Sequence, residues 1–376
     1  MVDHTIGFYC HIGETTGSGA PCGDRPGAAL QPEEWSMSLP LNLRRLAGCA
    51  LVAAAAFTIA GAPARAEMSS VKVATQIGLP YLPLIVMQHD KLWEEAAKAK
   101  GLDLKVEYAR LGGGGPLNDA LLSDSVQIAS AGLSPLLTLW DRTSKNYGVK
   151  ALSAINASPM YLLTNKDSIK SIKDFGPDDR IALPSIKVSI QAIVLAMGVE
   201  QAFGPGKSGE LDNIQVSMAH PEAFAALTSK AGGITGYMAS SPFQERALKV
   251  PGIRKVADSF EIQGGPATLS VIYAKADFVK NNPKLVEAFM EAQKKAVALI
   301  KSDLKGSIDK YYAVTGDKTD RAIVEEILAS PTYDFDIFPK ESMKIADFMY
   351  KTGALKQKPT SWKDYFFETV HSEKGS

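Results

Sequence analysis

Past residue 66 this chain of 376 residues contains no cysteine. Its three cysteines, Cys10, Cys22 and Cys49, all precede an expected processing point after Ala66. Thiolate catalysis, disulfides and Cys-held metal are therefore excluded from the portion expected to fold. Histidine is scarce as well. His89, His220 and His371 are the ones beyond residue 66, and they have no metal-ligand spacing, so no metal is expected. Charge of one sign is missing: 41 Lys and Arg balance 41 Asp and Glu. Without a basic stripe, nucleic acid is not an expected partner. No Gly-x-Ser-x-Gly elbow is present. Gly204-Pro205-Gly206-Lys207-Ser208 ends like a P-loop, but Gln201 holds its first Gly position and a helix precedes it. Gly112 and Gly114 begin a dinucleotide pattern, but Leu117 holds the third Gly position, so no cofactor is expected. Asp334 and Asp336 flank Phe335 and read as a solvated turn rather than a catalytic dyad. There is no catalytic residue to assign.

One apolar run stands out. Met37 opens a short segment ending in Arg44-Arg45, residues 46–60 are rich in Ala, Leu and Val, and Ala64-Arg65-Ala66 is an A-x-A exit. Charged start, apolar core and small-residue exit make an export peptide over 37–66. The mature protein is expected in the periplasm, beginning at Glu67. The Gly/Pro-rich residues 1–36 are expected to be a mis-assigned upstream extension. Leu46-Ala47-Gly48-Cys49 resembles a lipoprotein box, but the apolar run follows the Cys instead of preceding it. Leu43 before the Arg pair and Leu46-Ala47 after it favour ordinary secretion over a twin-arginine route. No second apolar run reaches the ~18 residues of a spanning helix.

The rest alternates between strand and helix patterns. Val71-Lys72-Val73-Ala74-Thr75 reads as a first strand. Residues 84–100 place Leu84, Val86, Met87, Leu92 and Trp93 on one helical face, stopped by Gly101. Strand patterns recur at 104–108, 126–129, 160–165, 181–183, 214–218, 234–238 and 269–273. Helical patterns recur at 118–123, 169–175, 185–197, 221–229 and 283–301. Ser134-Pro135 reads as an N-cap followed by a first-turn proline, and Ser241-Pro242 opens another helix. Such alternation implies a parallel α/β sheet. About three hundred residues exceed one comfortable core, so two lobes are expected. The unit 120–135 is echoed at 226–242; a shared lobe design and coincidence both account for it.

Several of these segments, in this order, resemble one family: the strand at 71–75, the helix ending Asp90-Lys91-Leu92-Trp93, and the loop Gly112-Gly113-Gly114-Gly115. Leu183-Pro184-Ser185-Ile186-Lys187-Val188-Ser189 and Pro221-Glu222-Ala223-Phe224-Ala225-Ala226-Leu227 complete the set. The chain resembles the type II periplasmic solute-binding proteins of the nitrate/sulfonate/taurine (NitT/TauT) group of ABC importers, over nearly all of residues 71–367. It departs from them at Asp124-Ser125-Val126-Gln127 and Gly232-Gly233-Ile234-Thr235, where the family has a Gly-acidic-Val-Asp turn.

The resemblance implies an α/β fold of two Rossmann-like lobes with a hinge and an interlobe cleft. The first lobe would hold 67–159 and 267–376, and the second 160–266, with crossings near 158–160 and 266–269. Ligands in such sheets sit beyond the carboxyl ends of strands. That rule selects Gln76, Tyr81, Gly113, Gly114, Ser134, Met160, Ser185, Lys187, Ser189, Ser240 and Ser241. Helix starts at Ser134, Ser185 and Ser241 would favour an anion, and Lys187 would add positive charge or be a solvated surface lysine. Tyr81, Met160 and Phe243 would form an apolar wall or be core packing. The implied function is a monomeric receptor that captures a small organic, anionic solute and delivers it to an ABC permease in the inner membrane. A secreted enzyme on the same fold and a solute-sensor subunit remain as alternatives.

Overall fold

The computed structural model describes residues 66–229 and 233–376. The expected upstream extension and, apart from Ala66, the expected export peptide lie outside the described residues. In chain order the strands are β1 Ser70–Thr75, β2 Lys105–Arg110, β3 Ile128–Gly132, β4 Lys150–Ala157, β5 Tyr161–Thr164, β6 Ile181–Leu183, β7 Gln215–Ser217, β8 Gly236–Ala239, β9 Arg254–Asp258, β10 Thr268–Ala274 and β11 Asp334–Phe335. They form two sheets, ordered β11-β4-β10-β3-β1-β2 and β7-β6-β8-β5-β9. The chain leaves the first sheet between β4 and β5 and returns between β9 and β10, so both crossings lie side by side.

Neither sheet is purely parallel, which corrects the expectation from alternation. β1 pairs parallel with β2 and β3, but β10 runs antiparallel to β3 and β4. In the second sheet β6 pairs parallel with β7 and β8, while β5 runs antiparallel to β8 and β9. The reason is topological. A strand that re-enters a sheet from a neighbouring lobe needs no βα crossover, and it is the crossover that forces strands parallel.

The helix read over 84–100 is two helices, Leu82–Asp90 and Leu92–Ala99, broken at Lys91 with φ of 51°. The break turns Trp93 inward. Its indole N–H donates to Leu285 O at 2.9 Å, and its ring meets Phe289 edge-on at 4.9 Å. Both partners lie on the helix Pro283–Ser302, whose N-terminus receives the Glu67 carboxylate through the N–H groups of Lys284 and Leu285. A carboxylate there answers orphan donors and the helix dipole together. Apolar packing is continuous from the first sheet through the seam into the second, running from Val73 and Leu133 to Ile190, Val194 and Met238. Among the described residues, no helix is long and apolar enough to cross a membrane.

Candidate functional site: the seam between the lobes

Strand ends of both sheets converge on the seam, where the loops bond to one another. Leu79 N–H donates to Ser241 O at 3.2 Å. Gly115 N–H donates to the Ser185 hydroxyl at 3.3 Å, and the Ser134 hydroxyl donates to Val188 O at 2.7 Å. Two glycines make this approach possible. A Cβ on Gly113 would meet the carbonyl oxygen of Pro184 well inside van der Waals contact, and one on Gly132 would lie 2.5 Å from Ile190 Cγ2. The molecule is therefore in a closed arrangement, with lobe faces satisfied by each other.

Inside the seam a cavity of about 10 Å3 remains, lined from one lobe by Gln76, Tyr81, Gly132 and Ser270 and from the other by Ile190, Gln191, His220 and Ser240. That volume admits about one water, so a larger guest enters only when the lobes part. No lining residue is acidic or cationic. Three helices begin at this cavity, at Leu133, Ile190 and His220. Each brings unpaired N–H groups and the positive end of its dipole. The Tyr81 hydroxyl donates to Gln76 Oε1 at 2.8 Å. Burial pushes that phenol well above its usual range.

His220 is the centre of the second lobe's wall. Its Nδ1 lies 2.5 Å from the Tyr237 hydroxyl, and its Nε2 lies 3.0 Å from Ser240 Oγ and 3.3 Å from Gln191 Nε2. Phe243 stacks behind the ring at 5.7 Å. No carboxylate bonds to it, and burial alone pulls its pKa down to about 4. The imidazole is thus neutral near pH 7. A Ser–His pair oriented by a phenol, with no carboxylate to stabilise imidazolium, lacks what activates a nucleophile. The arrangement recognises hydrogen-bonding groups.

The structure brings Gln76, Tyr81, Gly113, Gly114, Ser134, Ser185, Ser189, Ser240 and Ser241 to the seam or the turns that build it. Of these, Gln76, Tyr81 and Ser240 line the cavity itself. The three expected helix starts are corrected. The helix Leu133–Thr143 is capped by Gly132, leaving the Ser134 hydroxyl free to cross the seam. The helix Ile190–Phe203 is capped by Ser189, whose hydroxyl accepts from Ala192 N–H, so Ser185 belongs to the preceding turn. The helix Phe243–Leu248 has Pro242 at its cap, and the Ser241 hydroxyl donates to Glu245 Oε1 instead. Met160 is not in the cavity; it is buried at the first crossing, where its N–H donates to the Ser259 hydroxyl. Lys187 is also outside: its side chain is 74 % exposed and its Nζ lies 3.8 Å from Asp212. Sequence reading missed His220, Gln191 and Ser270. The first shows no signal except its place just before Pro221 at a helix start.

The sequence model of the NMT1-like family matches residues 64–308. No curated protein sequence matches the chain. Among solved structures, the chain is similar to the alkanesulfonate-binding protein SsuA of Xanthomonas axonopodis pv. citri bound to MOPS, at 18 % identity and a TM-score of 0.64 over 80 % of this chain and 99 % of that one. It is also similar to the ligand-binding component of an ABC-type import system from Staphylococcus aureus, at 18 % identity and a TM-score of 0.63, over 81 % and 99 %. The periplasmic nitrate-binding protein NrtA of Synechocystis PCC 6803 aligns at 14 % identity and a TM-score of 0.55, over 82 % and 90 %. Likeness at these identities establishes the periplasmic binding protein fold.

Proposed function

This chain belongs to the NMT1-like family, and from that premise we propose that it is an extracytoplasmic solute receptor of an ABC importer. The observation that carries the proposal is the seam. Three helix N-termini, hydroxyls and side-chain amides from both lobes converge on one buried point with no carboxylate among them. Neutral donors aimed at one spot suit a small organic anion: a sulfonate, a carboxylate or a nitrate-like group. The ligand-facing residues would be Gln76, Tyr81, Gln191, His220, Ser240 and Ser270, with Gly113, Gly114, Ser134, Ser185, Ser189 and Ser241 shaping the loops around them.

The mechanism follows from the closed geometry. With the lobes apart, the donors of each face are open to solvent and available to a guest. Contacts from both lobes exist together only on closure, so a bound solute shifts the population toward closed. The closed form then docks on an inner-membrane permease and releases its cargo. This reading carries the division into 67–159 with 267–376 and 160–266, a monomeric state, and a periplasmic location after cleavage behind Ala66.

The test is a thermal-shift titration of the exported protein with methanesulfonate, acetate, nitrate and small pyrimidines. A specific solute at a hundred times its Kd stabilises the fold by about 2.7 kcal/mol. One of these should raise Tm in a saturable way. Flat curves across the whole panel would sink the receptor reading. Chemical turnover of a bound compound would favour a secreted enzyme instead.

A further inference from the structure

A second pocket opens between the lobes beside the crossings, about 370 Å3 in volume and within the range of small-molecule sites. Pro159 and Tyr161 line it from the first crossing, Glu245 and Lys249 from the second lobe, and Glu326 and Tyr333 from the first. None of these lines the central cavity. We propose that this pocket binds a small organic ammonium, with Glu245 as its counter-charge.

Glu245 is held in place but left unmatched. Its Oε1 accepts from the Ser241 hydroxyl at 2.8 Å and from Gln244 Nε2 at 2.9 Å. Its Oε2 is sealed from water and has no donor. The adjacent Arg246 does not neutralise it. That guanidinium lies 4.4 Å over the Phe224 ring, with Asp317 of the other lobe 4.0 Å away. Tyr333 is 7 % exposed, and its hydroxyl has no partner in the described structure. Ser158 lies close enough to bias that phenol's titration without reaching hydrogen-bond geometry. A buried acceptor with no donor and a buried hydroxyl with no partner each cost about 1–3 kcal/mol. An ammonium brings three donors and a positive charge to the same place.

The local field has the matching sign. Burial, with Glu326 nearby, pushes the Glu245 carboxyl up. Burial together with Asp258, Glu245 and Glu261 pushes the Tyr161 phenol up to about 12. Lys249 opposes this from the rim. One ammonium already sits on this wall: Lys255 Nζ lies 4.6 Å over the Tyr161 ring, a cation–π contact. The apolar Pro159, Leu248 and Ile327 suit a short carbon chain. Among the described residues, no group of three acidic or imidazole side chains could hold a metal ion, which leaves an organic cation as the fitting charge. Because the pocket takes walls from both lobes, its occupant would favour closure.

The probe is n-propylammonium, with 1-propanol as its uncharged counterpart, titrated against the full exported chain by thermal shift. Propylammonium should stabilise saturably and 1-propanol should not. Glu245→Gln should weaken the amine about tenfold or more, the loss expected for a charge-assisted bond. Tyr333→Phe, which keeps the ring, should weaken it less, and serves if the first variant folds poorly. Equal stabilisation by the alcohol, no saturable shift, or full amine affinity in both variants would overturn the proposal. Methanesulfonate titrated in parallel reports on the central cavity alone, so loss of either binding is separable from loss of the other.

Discussion

The two lobes meet one cavity with different materials. The first lobe contributes mostly backbone and its absence of bulk: Gly113 and Gly132 let strand ends touch the opposite face, and Gln76, Tyr81 and Ser270 are its few polar side chains there. The second lobe contributes a packed polar side-chain network, His220 with Tyr237, Ser240 and Gln191, backed by Phe243. One face sets how closely the halves approach; the other sets what they recognise. This contrast can be broken from either side. The largest effect belongs to the first lobe. Gly113→Ala keeps an extended backbone that any residue adopts, with φ of −172°. Its new methyl, however, meets a backbone oxygen that cannot swing away. Overpacking of this kind costs about 1–3 kcal/mol, and here the closed state alone bears it. The variant should fold normally, scatter X-rays as a more open particle, and bind solute up to about a hundredfold more weakly. A scattering profile identical to wild type would mean the glycine does not govern closure.

The second lobe is tested through His220. In the folded protein its pKa is drawn down to about 4 from an ordinary 6.5. The unfolded chain therefore takes up that proton first as pH falls. The stability linked to the neutral ring is fully present above about pH 6.5 and is lost progressively down to about pH 4. A tenfold difference in proton affinity between the folded and unfolded chain corresponds to about 1.4 kcal/mol, so the loss is on the order of 3 kcal/mol. Denaturant unfolding of wild type and His220→Gln at pH 7.5, 5.5 and 4.5 isolates it, because every other titration is common to both. The difference between the two proteins should shrink as pH falls. A constant difference would mean the imidazole is not buried neutral.

The same contrast explains what the sequence made legible. The backbone face was readable because it is local. Alternation located the strands, glycine and serine runs marked their ends, and the rule about strand ends placed the loops on the seam. The side-chain face was not, because its contacts are distant in sequence: His220 meets Gln191, Tyr237 and Ser240 across 29, 17 and 20 positions. Serines such as Ser134 and Ser185 were found in the right place for the wrong reason. Both sit at the seam, yet their hydroxyls serve the other lobe rather than cap a helix. The antiparallel β10 was also beyond the pattern, since direction depends on the crossing before it and not on its own residues.

Lys187 is where local reading and geometry diverge most, and it gives the smallest expected effect. A lysine in a strand-end loop two residues before Ser189 is placed to neutralise an anion. Its backbone, though, takes the left-handed region at φ of 61°, and its side chain runs outward beside Asp212 rather than into the seam. An exposed pair of that length is worth about 0–1 kcal/mol. Lys187→Ala should therefore leave solute affinity within about twofold of wild type. Lys187→Gly should raise stability slightly, because glycine takes that conformation without the clash of a Cβ. Calorimetric titration of both variants decides the point. A tenfold loss in Lys187→Ala would mean that the loop turns over when solute binds and that the second lobe supplies a full charge after all. Unchanged affinity would leave recognition to neutral donors, with the histidine network as the only titratable part of that wall.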